Sequence, residues 1–188
     1  MENLWRYRAL GRFWRDGKVS LFLWVLWLSL AFFLWLYSPF LALVWLLIFP
    51  AVEDARTGFV SDTWALGTMI VGCFDALMMG RMWDAFLSFA GVTLFFVLLF
   101  VLARGAIGAG DVILSSAVAW WFSPLSAAFF VWLSFLSAAV FSVVLLCRRK
   151  QSLQSAIFFI PFISLGGVCA YGFSLSPWWW EICRLYFG

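Results

Sequence analysis

The sequence contains no histidine and few charged residues of either sign. Only 11% of its 188 residues are charged and 66% are hydrophobic, whereas about a quarter of the residues in soluble domains are charged. The mean hydropathy of +1.03 indicates the same class of protein. We therefore predict an all-α, polytopic membrane protein in which residues 1–188 form a single membrane domain.

Cysteine is also scarce, and its spacing argues against a metal or disulfide framework. The four cysteines lie far apart without a CxxC pair, so we predict no zinc site, no other metal and no cofactor. The net charge of +3 comes from short basic clusters at the ends of apolar runs. Such clusters are topology signals, so the predicted partner is the lipid bilayer and not nucleic acid.

Apolar runs between charged residues give the number of helices. Between Lys18 and Glu53 lie 34 uncharged residues, which would form a helix of about 51 Å, too long for a hydrocarbon core of about 30 Å. Pro39 disfavours helix at Ser38 and divides this run into two. The same reasoning predicts seven transmembrane helices. Five lie at approximately 19–37, 40–52, 62–80, 85–103 and 154–175, and the other two lie between Asp111 and Cys147, where the long apolar stretch is broken at FSPLS, residues 122–126. The helix at 40–52 is short and could instead be re-entrant.

Basic residues predict the orientation of these helices. With the N-terminus in the cytoplasm and the C-terminus outside, ten of the twelve basic residues face the cytoplasm, as the positive-inside rule requires. The ten are Arg6, Arg8, Arg12, Arg15, Lys18, Arg56, Arg104, Arg148, Arg149 and Lys150. The first twenty residues do not resemble a cleaved signal peptide, so we predict a retained first helix and a multi-pass protein of the inner membrane.

This topology places Asp54 and Asp111 at helix ends on the cytoplasmic side. The helices between them form one out-and-back hairpin, so both carboxylates can converge at a similar depth. Two carboxylates that share a site can share one proton. The ionised partner then activates water while the protonated partner polarises a peptide carbonyl, which is aspartic peptide hydrolysis and requires neither metal nor histidine.

Three glycines precede Asp111 in the stretch RGAIGAGD. We expect Gly105, Gly108 and Gly110 to allow positive φ angles and close approach of an extended substrate. The alternative is ordinary turn and capping chemistry. An acidic residue at the end of a membrane helix can also be merely solvated.

Two motifs resemble those of a known family. GAGD, ending at Asp111, resembles the GxGD motif of membrane aspartic proteases, and DARTGFVSD, from Asp54 to Asp62, resembles the first motif of type IV prepilin and archaeal preflagellin peptidases. Asp54, Arg56 and Asp62 match that motif. Ser61 stands where proline is usual, and Ile113 stands where the family usually has lysine.

The resemblance implies that Asp54 and Asp111 are the catalytic pair. It also implies a prepilin or pilin-like precursor as the substrate, with a short basic leader cut from a hydrophobic helix at the cytoplasmic face. The insert with paired CxxC motifs that accompanies N-methylation is absent from this sequence, so the resemblance implies a peptidase alone. Residues 1–38 are expected to form a basic segment and an extra helix, and 39–188 a six-helix peptidase core.

Other polar residues are candidates for substrate binding. Gly108 and Gly110 could contact the substrate backbone, and Glu53 and Asp62 could receive the basic leader by charge pairing. Solvation at the interface is the simpler interpretation of the two acids, and we favour it slightly. Asp75 lies deeper and is expected either to reach the outer surface or to pair with Arg81, without a catalytic role.

Two other functions are compatible with parts of the sequence. One is a catalytically inactive relative that binds pilin-like helices. The other is a small transporter or accessory subunit, which would predict carboxylates deep in the bilayer and an inverted repeat, neither of which is evident. The sequence does not indicate an oligomeric state.

Overall fold

The computed structural model describes residues 17–102, 107–148, 158–179, 181 and 184, with side chains from residue 21 onwards. These residues confirm the all-α prediction, because they form helices joined by short connections and contain no strand. In chain order the helices are α1 Gly17–Tyr37, α2 Pro39–Thr57, α3 Asp62–Met78, α4 Met82–Leu102, α5 Ala109–Ala119, α6 Pro124–Cys147 and α7 Ile160–Ser174. Arg104 and Gly105 of the glycine-rich stretch lie outside the described residues.

Prolines set two of the helix boundaries, as the sequence predicts. Ser38 is extended, with φ −165° and ψ 123°, and Pro39 opens α2. Ser123 is likewise extended, with ψ 162°, before Pro124 opens α6. Proline suits the first turn of a helix, where its missing N–H has no partner to lose, and it disfavours helix at the preceding residue.

Helix α2 is longer than the sequence analysis predicts. It was expected to end near Val52, but it continues through Asp54 to Thr57, a total of 19 residues or about 28 Å. It ends at Gly58, whose φ of 69° is left-handed and whose N–H donates to the Asp54 carbonyl at 2.8 Å. Glycine meets this backbone conformation without steric cost. Asp54 therefore lies within the last helical turn and not beyond the helix.

The two helices that carry the candidate acids are also the centre of the packing. Leu43, Leu46 and Leu47 of α2 are buried, and so is every residue of α5 from Leu114 to Ala119. Most of the contacts of α2 are with α7 and α1, and most of those of α5 are with α4 and α3. The acids thus extend from rigid elements, which is the arrangement that fixes a site most precisely.

The described helices differ in how well they suit a membrane crossing. By length and composition, α4 and α6 are the two described helices that could span a bilayer, while α5 is apolar but has only 11 residues, about 16 Å. The number of crossings and their orientation remain predictions.

Candidate active site

Asp54 lies in the last turn of α2 and its side chain is buried. Its Oδ2 accepts a hydrogen bond from the main-chain N–H of Ile160 at 3.3 Å. Ile160 is the first residue of α7, so its amide has no partner within its own helix and is free to donate to a carboxylate. The sequence analysis did not identify this contact, because nothing in residue identity marks a backbone donor 106 residues away.

Asp111 occupies the first turn of α5, at the third helical position. Its Oδ2 accepts a hydrogen bond from the N–H of Gly108 at 3.0 Å, which caps the helix. Gly108 is extended, with φ −75° and ψ 149°, and Gly110 is helical. The prediction of positive φ is therefore wrong for these two glycines.

The space that the Asp111 carboxylate needs explains the glycine at position 108 better than backbone conformational freedom does. A Cβ atom at Gly108 would lie 3.3 Å from Oδ2 of Asp111, which is tighter than ordinary contact. The missing side chain leaves space for the carboxylate to approach the amide. The predicted roles of Gly108 and Gly110 in substrate binding stay predictions.

The two carboxylates are brought to the same end of the molecule. The negative charge of Asp54 is close enough to raise the pKa of Asp111. Ile160 connects the two sites, since its N–H binds Asp54 and its Cδ1 lies 3.8 Å from where a Cβ atom of Gly110 would be. The two acids are thus close enough for one to influence the protonation of the other, and their role as a catalytic pair stays a prediction.

Both acids have raised pKa values, and both lie at the ends of the apolar segments. Burial raises the pKa of Asp54, the hydrogen bond from Ile160 lowers it, and the neighbouring charge of Glu53 raises it again. Burial also raises the pKa of Asp111, to about 6; the Gly108 hydrogen bond opposes this and the Asp54 charge adds to it. Such shifts are characteristic of groups that exchange protons in catalysis.

Glu53 has contacts that the sequence analysis did not foresee. Its Oε2 accepts hydrogen bonds from the N–H of Ser61 at 3.2 Å and from Nε1 of Trp64 at 2.6 Å. These bonds hold the connection between α2 and α3 beside Asp54. Glu53 therefore has a structural role, and its proposed contact with a substrate leader stays a prediction.

Asp62 is exposed at the first position of α3, where it lies at the edge of a cavity of about 550 Å³. The cavity is bounded by α3, α4 and α5 and is lined mainly by apolar side chains. Sequence reasoning missed it, because a groove between three helices depends on their relative placement. Within the described ranges, no group of three or more His, Cys, Asp or Glu residues could hold a metal ion.

Asp75 lies at the opposite end of α3 and has a different environment. It is fully buried, and its Oδ2 pairs with the guanidinium of Arg81. Its Oδ1 accepts a hydrogen bond from Nε1 of Trp35 at 2.9 Å. Of the two alternatives predicted for Asp75, the structure therefore confirms pairing with Arg81.

These features define a helical protein with an acidic pair at one end. A family model described as the type IV leader peptidase family matches residues 40–143, which include α2 to most of α6 and both candidate acids. The match covers more than half of the chain, and the chain belongs to this family. Membership confirms the predicted resemblance and supports a protease. Comparisons with curated proteins and with solved structures gave no significant match.

Proposed function

We propose that this chain is a membrane aspartic endopeptidase that removes the short basic leader of prepilin-like precursors at the cytoplasmic face of the inner membrane. One observation carries the proposal. Asp54 and Asp111 come from separate helices, interact electrostatically, and form no ion pair among the described residues. Family membership supports peptidase activity, and this pair provides a means of performing it.

The pair can perform hydrolysis by sharing one proton. Asp111 carries the proton and hydrogen-bonds the carbonyl oxygen of the scissile peptide, while ionised Asp54 accepts a proton from water. The water oxygen then bonds to the carbonyl carbon and gives a tetrahedral diol. Asp54 passes its proton to the leaving nitrogen as the C–N bond breaks, and Asp111 recovers its own as the new carboxyl forms.

The exposed surface supports a membrane setting for this reaction. Leu94, Leu98 and Val101 of α4 are each more than half exposed, at 61%, 51% and 66%. A 21-residue helix with a mean hydropathy of 2.6 and such a surface is suited to lipid and poorly suited to water. In the proposed orientation, the acidic pair lies at the inner rim of the bilayer.

The proposed activity is tested by incubating the reconstituted protein with a candidate precursor and sequencing the N-terminus of the product. We expect Asp54→Asn and Asp111→Asn each to lower the cleavage rate by at least about a thousandfold, because each removes one half of the proton exchange. Asp84→Asn is a matched control, since Asp84 is an exposed acid in the first turn of α4 at the other end of the molecule. It should retain full activity.

Two outcomes would contradict the proposal. Cleavage that persists in the folded Asp111→Asn protein would show that the pair is not the catalytic group. Binding of the precursor by the wild-type protein without any cleavage would instead indicate an inactive relative.

Cysteine labelling tests the orientation. In a background without the native cysteines, single cysteines at Ala55 and Ala109 are both exposed beside the acidic pair. We expect a membrane-impermeant reagent to modify them only from the cytoplasmic side. A cysteine at Met79, which is 58% exposed at the other end of α3, should react only from the opposite side. Labelling of all three from one side would overturn the topology.

A further inference from the structure

The cavity between α3, α4 and α5 begins beside Asp111. Val112 and Ile113, the next two residues of α5, lie in its wall, and Asp62 and Thr63 lie at the start of α3. Both helices run away from the acidic pair, so the cavity extends from the candidate active site into the apolar part of the bundle. From Asp62 to Met69 this is a distance of about 10 Å.

The walls of this cavity are suited to apolar side chains. Leu66 and Met69 of α3, Phe89 of α4 and Ile113 of α5 all line the cavity. The wall contains three hydroxyl side chains, and each has a hydrogen-bond partner. Oγ1 of Thr93 donates to Oγ of Ser116 at 2.8 Å, and Oγ1 of Thr63 shares a hydrogen bond with Oγ of Ser61 at 2.7 Å. An apolar occupant therefore costs these hydroxyls no hydrogen bond.

The rim of the same cavity has the opposite character. In the described ranges 53–62 and 107–113 there are four carboxylates, those of Glu53, Asp54, Asp62 and Asp111, and one cation, Arg56. A positive segment is attracted to such a rim, whereas an anionic lipid headgroup is repelled. The surface thus fits a chain that is basic at the rim and apolar in the groove.

We infer that this cavity binds the first apolar side chain that follows the scissile bond of the substrate, and that Leu66 determines which side chain it accepts. The inference rests on the proposed function, since it places the scissile bond at Asp111. The basic part of the substrate then lies along the acidic rim and the apolar part enters the groove. Leu66 is 46% exposed and Ile113 43% exposed, so each presents its side chain without belonging to the buried core.

The first test fills the groove and compares substrates. A panel of precursors differs only at the residue after the scissile bond, with Leu, Phe, Ala, Lys or Glu there. We expect Leu66→Trp to lower kcat/KM by about tenfold or more for the Leu and Phe substrates, the range expected from steric exclusion in an apolar pocket. For the Ala substrate, kcat/KM should change much less.

A neighbouring residue provides the matched control. Ile70 lies one turn further along α3, is 37% exposed and does not line the cavity. Ile70→Trp adds a side chain of the same size to the same helix. It should change kcat/KM for every substrate by less than about twofold. Equal effects of Leu66→Trp and Ile70→Trp would overturn the inference.

The second test changes the charge of the groove. Leu66→Glu places a carboxylate in the wall, so it should lower kcat/KM for the Leu and Phe substrates and raise it for the Lys substrate relative to wild type. A merely structural effect would lower kcat/KM for all five substrates together. Such a parallel loss would contradict the assignment of Leu66.

The peptidase proposal and the assignment of the groove can fail separately. If Asp111→Asn abolishes cleavage while Leu66→Trp and Leu66→Glu leave the substrate preference unchanged, the peptidase proposal stands and the groove has another occupant, such as lipid. If Asp111→Asn cleaves normally, the proposed function itself is wrong.

Discussion

The molecule contains buried carboxylates at both ends, and their surroundings differ in one decisive respect. Asp75 is neutralised by Arg81 and receives a further hydrogen bond from Trp35. Among the residues that the structure describes, Asp54 and Asp111 accept hydrogen bonds from the main-chain N–H groups of Ile160 and Gly108, and neither forms an ion pair with a cation. The charge of Asp54 also raises the pKa of Asp111. A compensated charge stabilises the fold, whereas an uncompensated pair is available for proton exchange.

The largest expected effect comes from removing the compensation of Asp75. Arg81→Ala should lower the free energy of unfolding by about 3 kcal/mol, because it leaves a buried carboxylate without its cation. Thermal unfolding in detergent measures this loss. Asp84→Ala, at an exposed site in the adjoining turn, should change the free energy by less than about 0.5 kcal/mol. An unchanged free energy of unfolding in Arg81→Ala would show that the ion pair contributes nothing to stability.

A smaller loss of stability is expected when the hydrogen bond from Trp35 to Asp75 is removed. Trp35→Phe keeps an aromatic ring but removes the indole N–H, so it should destabilise the fold by about 2 kcal/mol, the usual range for a hydrogen bond to a charged group. Trp83→Phe is the control, since Trp83 is 70% exposed. Equal stability of the two variants would mean that the Trp35 bond is not formed.

The acidic pair should instead be revealed by pH. The pKa of Asp111 is raised to about 6, so its protonated form is present below that pH and is lost above it. Cleavage should therefore decline about tenfold per pH unit above about 6, equivalent to about 1.4 kcal/mol per unit. It should also decline in acid, where Asp54 becomes protonated, and the two limits belong to the pair. A flat profile between pH 5 and 8 would contradict this mechanism.

The same shift has a consequence for stability. A raised pKa means that the folded state binds the proton more tightly than the unfolded state does, so folding stability should fall as pH rises from about 3.8 to about 6. The stability that Asp111 contributes through its raised pKa is fully present below a pH of about 3.8. Unfolding measured across that range, with Asp111→Asn as the reference, isolates it.

The smallest expected effect is on the pKa of Asp111 when the charge of Asp54 is removed. Asp54→Asn removes the charge that raises the pKa of Asp111, so the pKa of Asp111 should fall below about 6. It should stay above 3.8, because burial is the main cause of the shift. Infrared titration of the carboxyl band measures this value in the inactive variant. An unchanged pKa would show that the two acids do not interact.

Local chemistry explains what could be predicted from the sequence. Pro39 and Pro124 act on their immediate neighbours, so the helix boundaries they set are visible in the chain. The pairing of Asp54 with Asp111 was accessible because motif, spacing and hydropathy all indicated one end of the bundle. The alternatives for Asp75 already included Arg81, six residues away.

Contacts between distant segments could not be predicted from the sequence. The bond from Trp64 to Glu53 and the groove wall at Leu66 and Ile113 depend on how α3 packs against α2 and α5. Charged residues predict an end of α2 near Val52, but the helix continues to Thr57. Glu53, Asp54 and Arg56 are instead accommodated in its last turns.

The amide of Ile160 that binds Asp54 has an implication for mutagenesis. The donor is a peptide nitrogen, so any replacement at position 160 other than proline preserves it. A side-chain scan would thus pass over a group that holds one of the two acids, and only Ile160→Pro or a backbone ester would reveal it. Part of this site is therefore encoded by where a helix starts, independently of which residue starts it.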